Sequence, residues 1–155
     1  MYGTGTFVGM RGEEMGRVLV AALLGLVALL AVACGPSGPT TVSKIEIARD
    51  EAKGQPVEVG TTLAPKNNEV HAFVTLANPA DGTKIRLVWV AVNAGDKKNA
   101  ELDSSEAELA RWQDYIHGQM TLEQGWAPGQ YRLDVYVNGQ LQQSANFTIT
   151  PPTGS

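Results

Sequence analysis

From Lys44 to Thr150 apolar side chains recur mainly at every second position, and this pattern restricts the fold more than any other feature of the chain. A period of two puts alternate side chains on opposite faces of an extended strand, whereas a helix needs spacings of three and four. Lys44-Ile45-Glu46-Ile47-Ala48 reads as a half-exposed first strand, and Glu69 to Ala77 as a second with Val70, Ala72, Val74 and Leu76 on one face. Lys84 to Asn93 is apolar on both faces at its centre, with Val88, Val90 and Val92 opposite Ile85, Leu87, Trp89 and Ala91. It is therefore expected to be a central strand, with Trp89 filling the core. Gln130 to Val137 carries Tyr131, Leu133, Val135 and Val137 on one face, and the chain returns through Gln140 to Thr150. Between them, Asn138-Gly139 supplies the positive φ angles of a type I′ hairpin turn.

Ala100 to Met120 reads two ways. Ser105 with Glu108 resembles a capping box, and Leu109, Trp112 and Ile116 sit at helical spacing, which predicts a short helix. Strands are the alternative, with Tyr115 to Leu122 pairing onto the sheet, and the β-rich neighbours favour them. Turn signals such as Asn78-Pro79-Ala80-Asp81-Gly82 separate the segments. Short strands with such turns imply an all-β, antiparallel sandwich of about seven strands over residues 44–150, followed by a disordered tail at 151–155.

The run Trp126-Ala127-Pro128-Gly129-Gln130-Tyr131, continued to Asn138-Gly139 and completed by Phe147-Thr148-Ile149, resembles the closing hairpin of immunoglobulin-like or fibronectin type III-like domains of bacterial envelope proteins. The resemblance covers under a third of the domain and speaks to architecture. It implies an immunoglobulin-like sandwich, a class that serves mostly in adhesion, spacing or ligand binding; the fold alone does not fix the task.

Ahead of the alternating region stands a different kind of sequence. Val18 to Ala33 is sixteen residues without a charge, preceded by Arg17 and ended by Cys34-Gly35-Pro36. A positive start, an apolar middle and small residues at the end are the parts of a signal peptide, here residues 1–33. Residues 1–17 carry Glu13 and Glu14 against Arg11 and Arg17, so initiation at Met15 gives the better positive start. Ala31-Val32-Ala33-Cys34 resembles the lipobox of bacterial lipoproteins, departing from it in Ala31, where that family usually has Leu. The resemblance implies cleavage between Ala33 and Cys34 and a diacylglycerol, with further acyl chain, on the Cys34 thiol. Gly35 in place of Asp carries no signal for inner-membrane retention in a host with two membranes. A single transmembrane helix is the competing reading, because the run is near the ~17 residues that cross a bilayer. The Gly, Pro, Ser and Thr that follow as far as Ser43 favour a lipid tether at 34–43, since such a linker buries nothing.

The chain has 155 residues, 12 basic and 16 acidic, and a net charge of -4. Loss of Arg11, Arg17, Glu13 and Glu14 with the signal peptide leaves that net charge unchanged. No nucleic-acid partner is expected, because phosphate binding needs clustered Lys and Arg. The longest basic run, Lys97-Lys98, reads as a solvated turn. Cys34 is the only cysteine, so no intrachain disulfide holds the domain and no thiol remains for chemistry.

Little in the domain points to catalysis. His71 and His117 lie in different predicted strands, with His71 expected to face solvent, and a zinc site wants a third ligand that the sequence does not supply. Glu101, Asp103, Glu106 and Glu108 lack the spacing of a calcium loop and read as a wet face. No metal, no cofactor and no enzymatic activity are expected. Trp112 and Trp126 are the candidate ligand-binding residues, as a stacking platform for carbohydrate or peptidoglycan. The reading is thus a membrane-anchored extracytoplasmic module, non-catalytic, held by lipid at Cys34 and contacting an envelope protein or polysaccharide. The alternatives are a carbohydrate-binding module using exposed Trp and an enzyme with an unrecognised site.

Overall fold

The computed structural model describes residues 38–151, so the apolar segment, Ala33, Cys34 and residues 152–155 lie outside the described residues. Among the described residues there is no helix, and nine strands form two sheets. They are β1 (Thr41–Ala52), β2 (Gln55–Val59), β3 (Thr62–Leu63), β4 (Glu69–Ala77), β5 (Lys84–Ala94), β6 (Lys97–Glu108), β7 (Tyr115–Thr121), β8 (Gly129–Val137) and β9 (Gln140–Ile149). One sheet runs β2-β1-β4-β7 and the other β3-β9-β8-β5-β6. All neighbours are antiparallel except β3, which lies parallel to β9.

The alternation explains this arrangement. On β4, Val70, Ala72, Val74 and Leu76 are buried against the facing sheet, which answers with Ile85, Leu87 and Trp89 of β5 and Leu133 and Val135 of β8. Burial of such side chains, at about 25 cal/mol per Å² of apolar surface, is the main force available to a domain whose described residues hold no disulfide. The sheets approach closely at Gly118 of β7, where a Cβ would come within 2.4 Å of Leu87 Cδ1. Strand β5 lies between β8 and β6, and Leu87, Val88, Trp89 and Val90 are all buried, as a two-faced apolar run requires.

Two features mark the fold as immunoglobulin-like. Trp89, 2% exposed, sits in the core from a central strand. At the start of β8 the Tyr131 hydroxyl donates to the Ala127 carbonyl at 2.7 Å, tying the strand to the loop that leads into it in the manner of a tyrosine corner. The last hairpin turns at Asn138 and Gly139 with φ of 49° and 81°, both positive as a type I′ turn demands. Asn138 also caps the start of β5: its N–H donates to the Lys84 carbonyl at 2.8 Å and its Oδ1 accepts from the Lys84 N–H at 3.0 Å.

The fold differs from the sequence-based expectations in four places. The tether does not extend to residue 43, nor does the domain begin at residue 44, because Thr41 and Val42 already pair with Ala77 and Leu76 of β4 as the start of β1. Nine strands stand where about seven are expected, because the first strand continues into a hairpin with β2 and the short β3 adds to β9. The helix alternative for Ala100 to Met120 is overturned: Ser105 and Glu108 lie in β6, opposite Leu87 and Lys84 of β5. Helical spacing there is incidental, since β5 has a second edge to satisfy and β6 supplies its backbone partners. Leu109 then plugs the sandwich end, its N–H donating to Thr83 O at 2.8 Å and its carbonyl accepting from Gly82 N at 2.9 Å. Finally, Lys97 and Lys98 are not the turn but the first residues of β6, paired with Ala94 and Asn93; Gly95 and Asp96 make the turn.

The strand directions give the sandwich two distinct ends. At one, the chain enters β1, β4 passes to β5, β6 to β7 and β8 to β9. At the other lie the β1–β2 hairpin, the loop before β4, the β5–β6 turn and the loop from Leu122 to Pro128. Each end carries one of the tryptophans singled out above.

Candidate functional site

Trp126 and Trp112 are the sequence-derived binding residues, and the structure separates them. Trp126 is 9% exposed, with its ring edge-on to Tyr131 (5.0 Å between centroids, 70°), Phe147 (6.1 Å, 62°) and Trp89 (6.3 Å, 67°). Its indole N–H donates to the Asn68 carbonyl at 2.8 Å. The expectation of an exposed Trp126 stacking face is therefore corrected. The loop that carries it is drawn inward, with Leu122 N–H bonded to the same Asn68 carbonyl at 3.1 Å, so the ring completes the core instead of facing solvent. Sequence alone misses this because Pro128-Gly129 signals a turn without saying which way the preceding residues fold. Gly129 holds that turn against β5: with φ of 153°, a Cβ there would fall 2.4 Å from Asn93 O.

Trp112 is the opposite case. It is 89% exposed, at the turn between β6 and β7. Gln113 N–H donates to the Ala110 carbonyl at 3.1 Å, which closes a four-residue turn with Trp112 in its third position and φ of 70°. That position of a type II turn normally takes Gly or Asn, because a left-handed φ crowds a Cβ. Arg111 beside it is also exposed.

Two cavities border the second sheet. The larger, about 460 Å³, is lined by Thr61, Thr62, Gln130, Asn146 and Thr148 with Val92, Tyr131 and Phe147. It offers hydroxyls and amides, with no acid or base able to shuttle a proton at neutral pH. The other, about 300 Å³, opens over Trp126, Leu102 and Leu122, with Asp96 and Lys97 its only charged residues. Neither joins a nucleophile to a base, the geometry that covalent or hydrolytic chemistry needs.

The two histidines come together, which no local sequence pattern announces. His71 on β4 and His117 on β7 are diagonal neighbours, since Phe73 is opposite His117, and His71 Nδ1 lies 3.1 Å from His117 Nε2. The His117 ring stacks on Phe73 at 4.5 Å and on His71 at 5.3 Å. His71 is 4% exposed, which corrects the expectation that it faces solvent. Beside the pair, Gly54, Gln55 and Pro56 of the β1–β2 hairpin share a small cavity with Phe73 and Tyr115. Burial, then the charge of His71, push the His117 pKa below its ordinary value, while Glu51 works the other way. His71 Nε2 is buried without a hydrogen-bond partner, and the nearest carboxylate, Glu69, is 3.9 Å away. Two imidazoles are one ligand short of a zinc cage, and among the described residues no three His, Cys, Asp or Glu side chains converge as a metal site.

On the outer face of the other sheet, the buried Asp134 carboxylate is held by Arg132 at 2.7 and 2.9 Å and by the Ser144 hydroxyl. This is a satisfied structural pair. The free edge strand β6 carries Lys97, Lys98, Glu101, Asp103, Glu106 and Glu108, charges of the kind that discourage another strand from adding to it.

No family model matches the sequence, and no curated protein matches it. Solved structures do. The fold is similar to that of an immunoglobulin-like protein from Pseudomonas aeruginosa, with a TM-score of 0.55 and 16% identity, covering 75% of this chain and 100% of that one. An alkylpurine DNA glycosylase from Pseudomonas fluorescens gives 0.43 at 15% identity, over 71% of this chain and 30% of that one. A β-glucosidase from Listeria innocua gives 0.44 at 14% identity, over 72% and 16%. The chain spans less than a third of either enzyme, and those two likenesses carry nothing for its function. The first agrees with the sandwich geometry: the described part of the chain has an immunoglobulin-like β-sandwich fold.

Proposed function

We propose that this chain is an extracytoplasmic lipoprotein whose immunoglobulin-like domain serves as a non-catalytic binding or structural module, held to a membrane through lipid on Cys34. The observation that carries the reading is the uncharged run Val18 to Ala33 ending in Ala31-Val32-Ala33-Cys34, followed within seven residues by the first strand at Thr41. Two or three acyl chains, at about 0.8 kcal/mol per buried methylene, hold a protein of this size to a bilayer, whereas a single chain does so only reversibly. The non-catalytic part of the reading draws support from the fold and from cavities without paired acid, base or nucleophile. A partner from the cell envelope, protein or polysaccharide, fits a module of this class.

A carbohydrate platform built on two tryptophans loses its basis with Trp126 in the core. Trp112 alone remains for such a role. The anchor is tested by comparing the wild type with Cys34→Ser in cell fractions. The wild type is expected in membranes and extractable only with detergent. A Cys34→Ser protein that remains membrane-bound to the same extent would sink the lipid anchor in favour of a spanning helix.

A further inference from the structure

We propose that the turn between β6 and β7 is a lipid-contacting tip, with the Trp112 indole seated in the interfacial layer of the same bilayer that holds Cys34; this rests on the anchored reading above. Position comes first. Thr41 at the start of β1 pairs with Ala77 at the end of β4, and the preceding Thr40 hydroxyl donates to the Asn78 carbonyl at 2.9 Å. Leu76 N–H in turn donates to the Asp114 carbonyl at 2.8 Å, two residues past Trp112. The point where the chain enters the domain and the Trp112 turn therefore share one end of the sandwich.

Reach comes second. Gly38 follows Cys34 by four residues, so even fully extended the tether between them covers at most about 14 Å. A lipid on Cys34 brings this end of the domain, and not the Trp126 end, against the membrane surface.

The third is the side chain itself. Eight non-glycine residues among those described have left-handed φ, and five of them are asparagines, the residue that tolerates this conformation best. Trp112 is the bulkiest exception and has the largest φ of the set. Its ring is 89% exposed, so no packing within the domain repays the strain. An indole gains by sitting at a bilayer interface, with its ring among the upper acyl chains and its N–H among water and headgroups. Charges at this end, Asp81, Glu106, Glu108 and Asp114 against Lys84 and Arg111, leave no excess of basic residues to draw an anionic lipid, so the contact depends on the indole and tolerates a zwitterionic surface. Saccharide stacking is the less favoured occupant, because Trp112 lines none of the three cavities above.

The test uses full-length protein extracted from membranes, its lipid confirmed by mass, in phosphatidylcholine vesicles with and without bromine in the upper acyl chains. Trp89 and Trp126 are buried and supply an unquenched background. The expected result is loss of the remaining emission in brominated vesicles, with a blue shift on reconstitution, and both disappear in Trp112→Phe. Lipidated protein whose Trp112 emission is unquenched and stays open to aqueous iodide overturns the inference and leaves the anchor standing. Quenching by peptidoglycan fragments in place of brominated lipid overturns it in favour of a polymer contact. A Cys34 without lipid removes the anchored reading and this inference together.

Discussion

The two ends of the sandwich each present a tryptophan on a loop, and the fold treats them oppositely. At the end opposite the start of β1, Trp126 gives its N–H to Asn68 and its ring to Trp89, Tyr131 and Phe147. At the end where the chain enters, Trp112 stands in a strained turn and touches nothing that would hold it. A domain without a disulfide among its described residues relies on aromatic packing, and Trp126 belongs to that economy of cohesion. Trp112 does not, so its cause has to be sought outside the folded unit. Exposure of a large aromatic in a left-handed turn is a better pointer to contact with something else than composition or motif.

The largest effect that separates the ends is mutational. Trp126→Ala is expected to lower stability by about 3–5 kcal/mol, since it opens a cavity beside three aromatic rings and leaves the Asn68 carbonyl with the Leu122 N–H as its one remaining donor. Trp112→Ala should stay within about 0.5 kcal/mol, as exposed substitutions do. Denaturant unfolding measures both, and similar losses in the two variants would break the comparison.

Next in size is the tyrosine corner. Tyr131→Phe keeps the ring and removes only the bond to Ala127, so a loss of about 1 kcal/mol is expected. Burial raises the Tyr131 pKa above its ordinary value, so the folded state holds this proton more tightly than the unfolded one. The resulting stability is present below the ordinary tyrosine range and fades as pH rises through the raised value. Unfolding midpoints across the alkaline range should therefore fall less steeply in Tyr131→Phe than in the wild type.

A smaller effect lies on the acid side. The His117 pKa is lowered in the folded state, so the unfolded chain binds the proton more readily. Stability is then present above the ordinary histidine value and is lost as pH falls below it through the lowered one. His117→Gln should flatten the decline of melting temperature on acidification; an unchanged slope would show that the histidine pair is uncoupled from the fold.

The smallest effect is also the most discriminating for the exposed end. Trp112→Gly relieves the left-handed strain at some entropic cost and is expected to raise stability by about 0.5 kcal/mol. A destabilised Trp112→Gly would mean that the indole does pack on the domain.

Much of the architecture was legible because strands declare themselves by alternation. Glu69 to Ala77 coincides with β4, and the Asn138-Gly139 hairpin falls where its turn chemistry puts it. Trp89 could be placed in the core because its strand is apolar on both faces. What stayed hidden depends on long-range contact. That β4 and β7 are neighbours, and so bring His71 to His117, follows from strand order, which no local pattern carries. The burial of His71 goes with its stacking on His117 across that strand pair, and the burial of Trp126 requires a loop to turn inward toward Asn68. Within Ala100 to Met120, helical spacing and strand spacing coexist, and the unmet backbone edge of β5 decided between them. The exposure of Trp112 is in keeping with a stacking residue, whereas its left-handed φ has no signature in sequence at all.

A lipid anchor on Cys34 can be read in the mass of the N-terminal peptide of protein extracted from membranes. The expected species begins at Cys34, its thiol carrying diacylglycerol. A chain that retains Val18 to Ala33 with an unmodified Cys34 would contradict it.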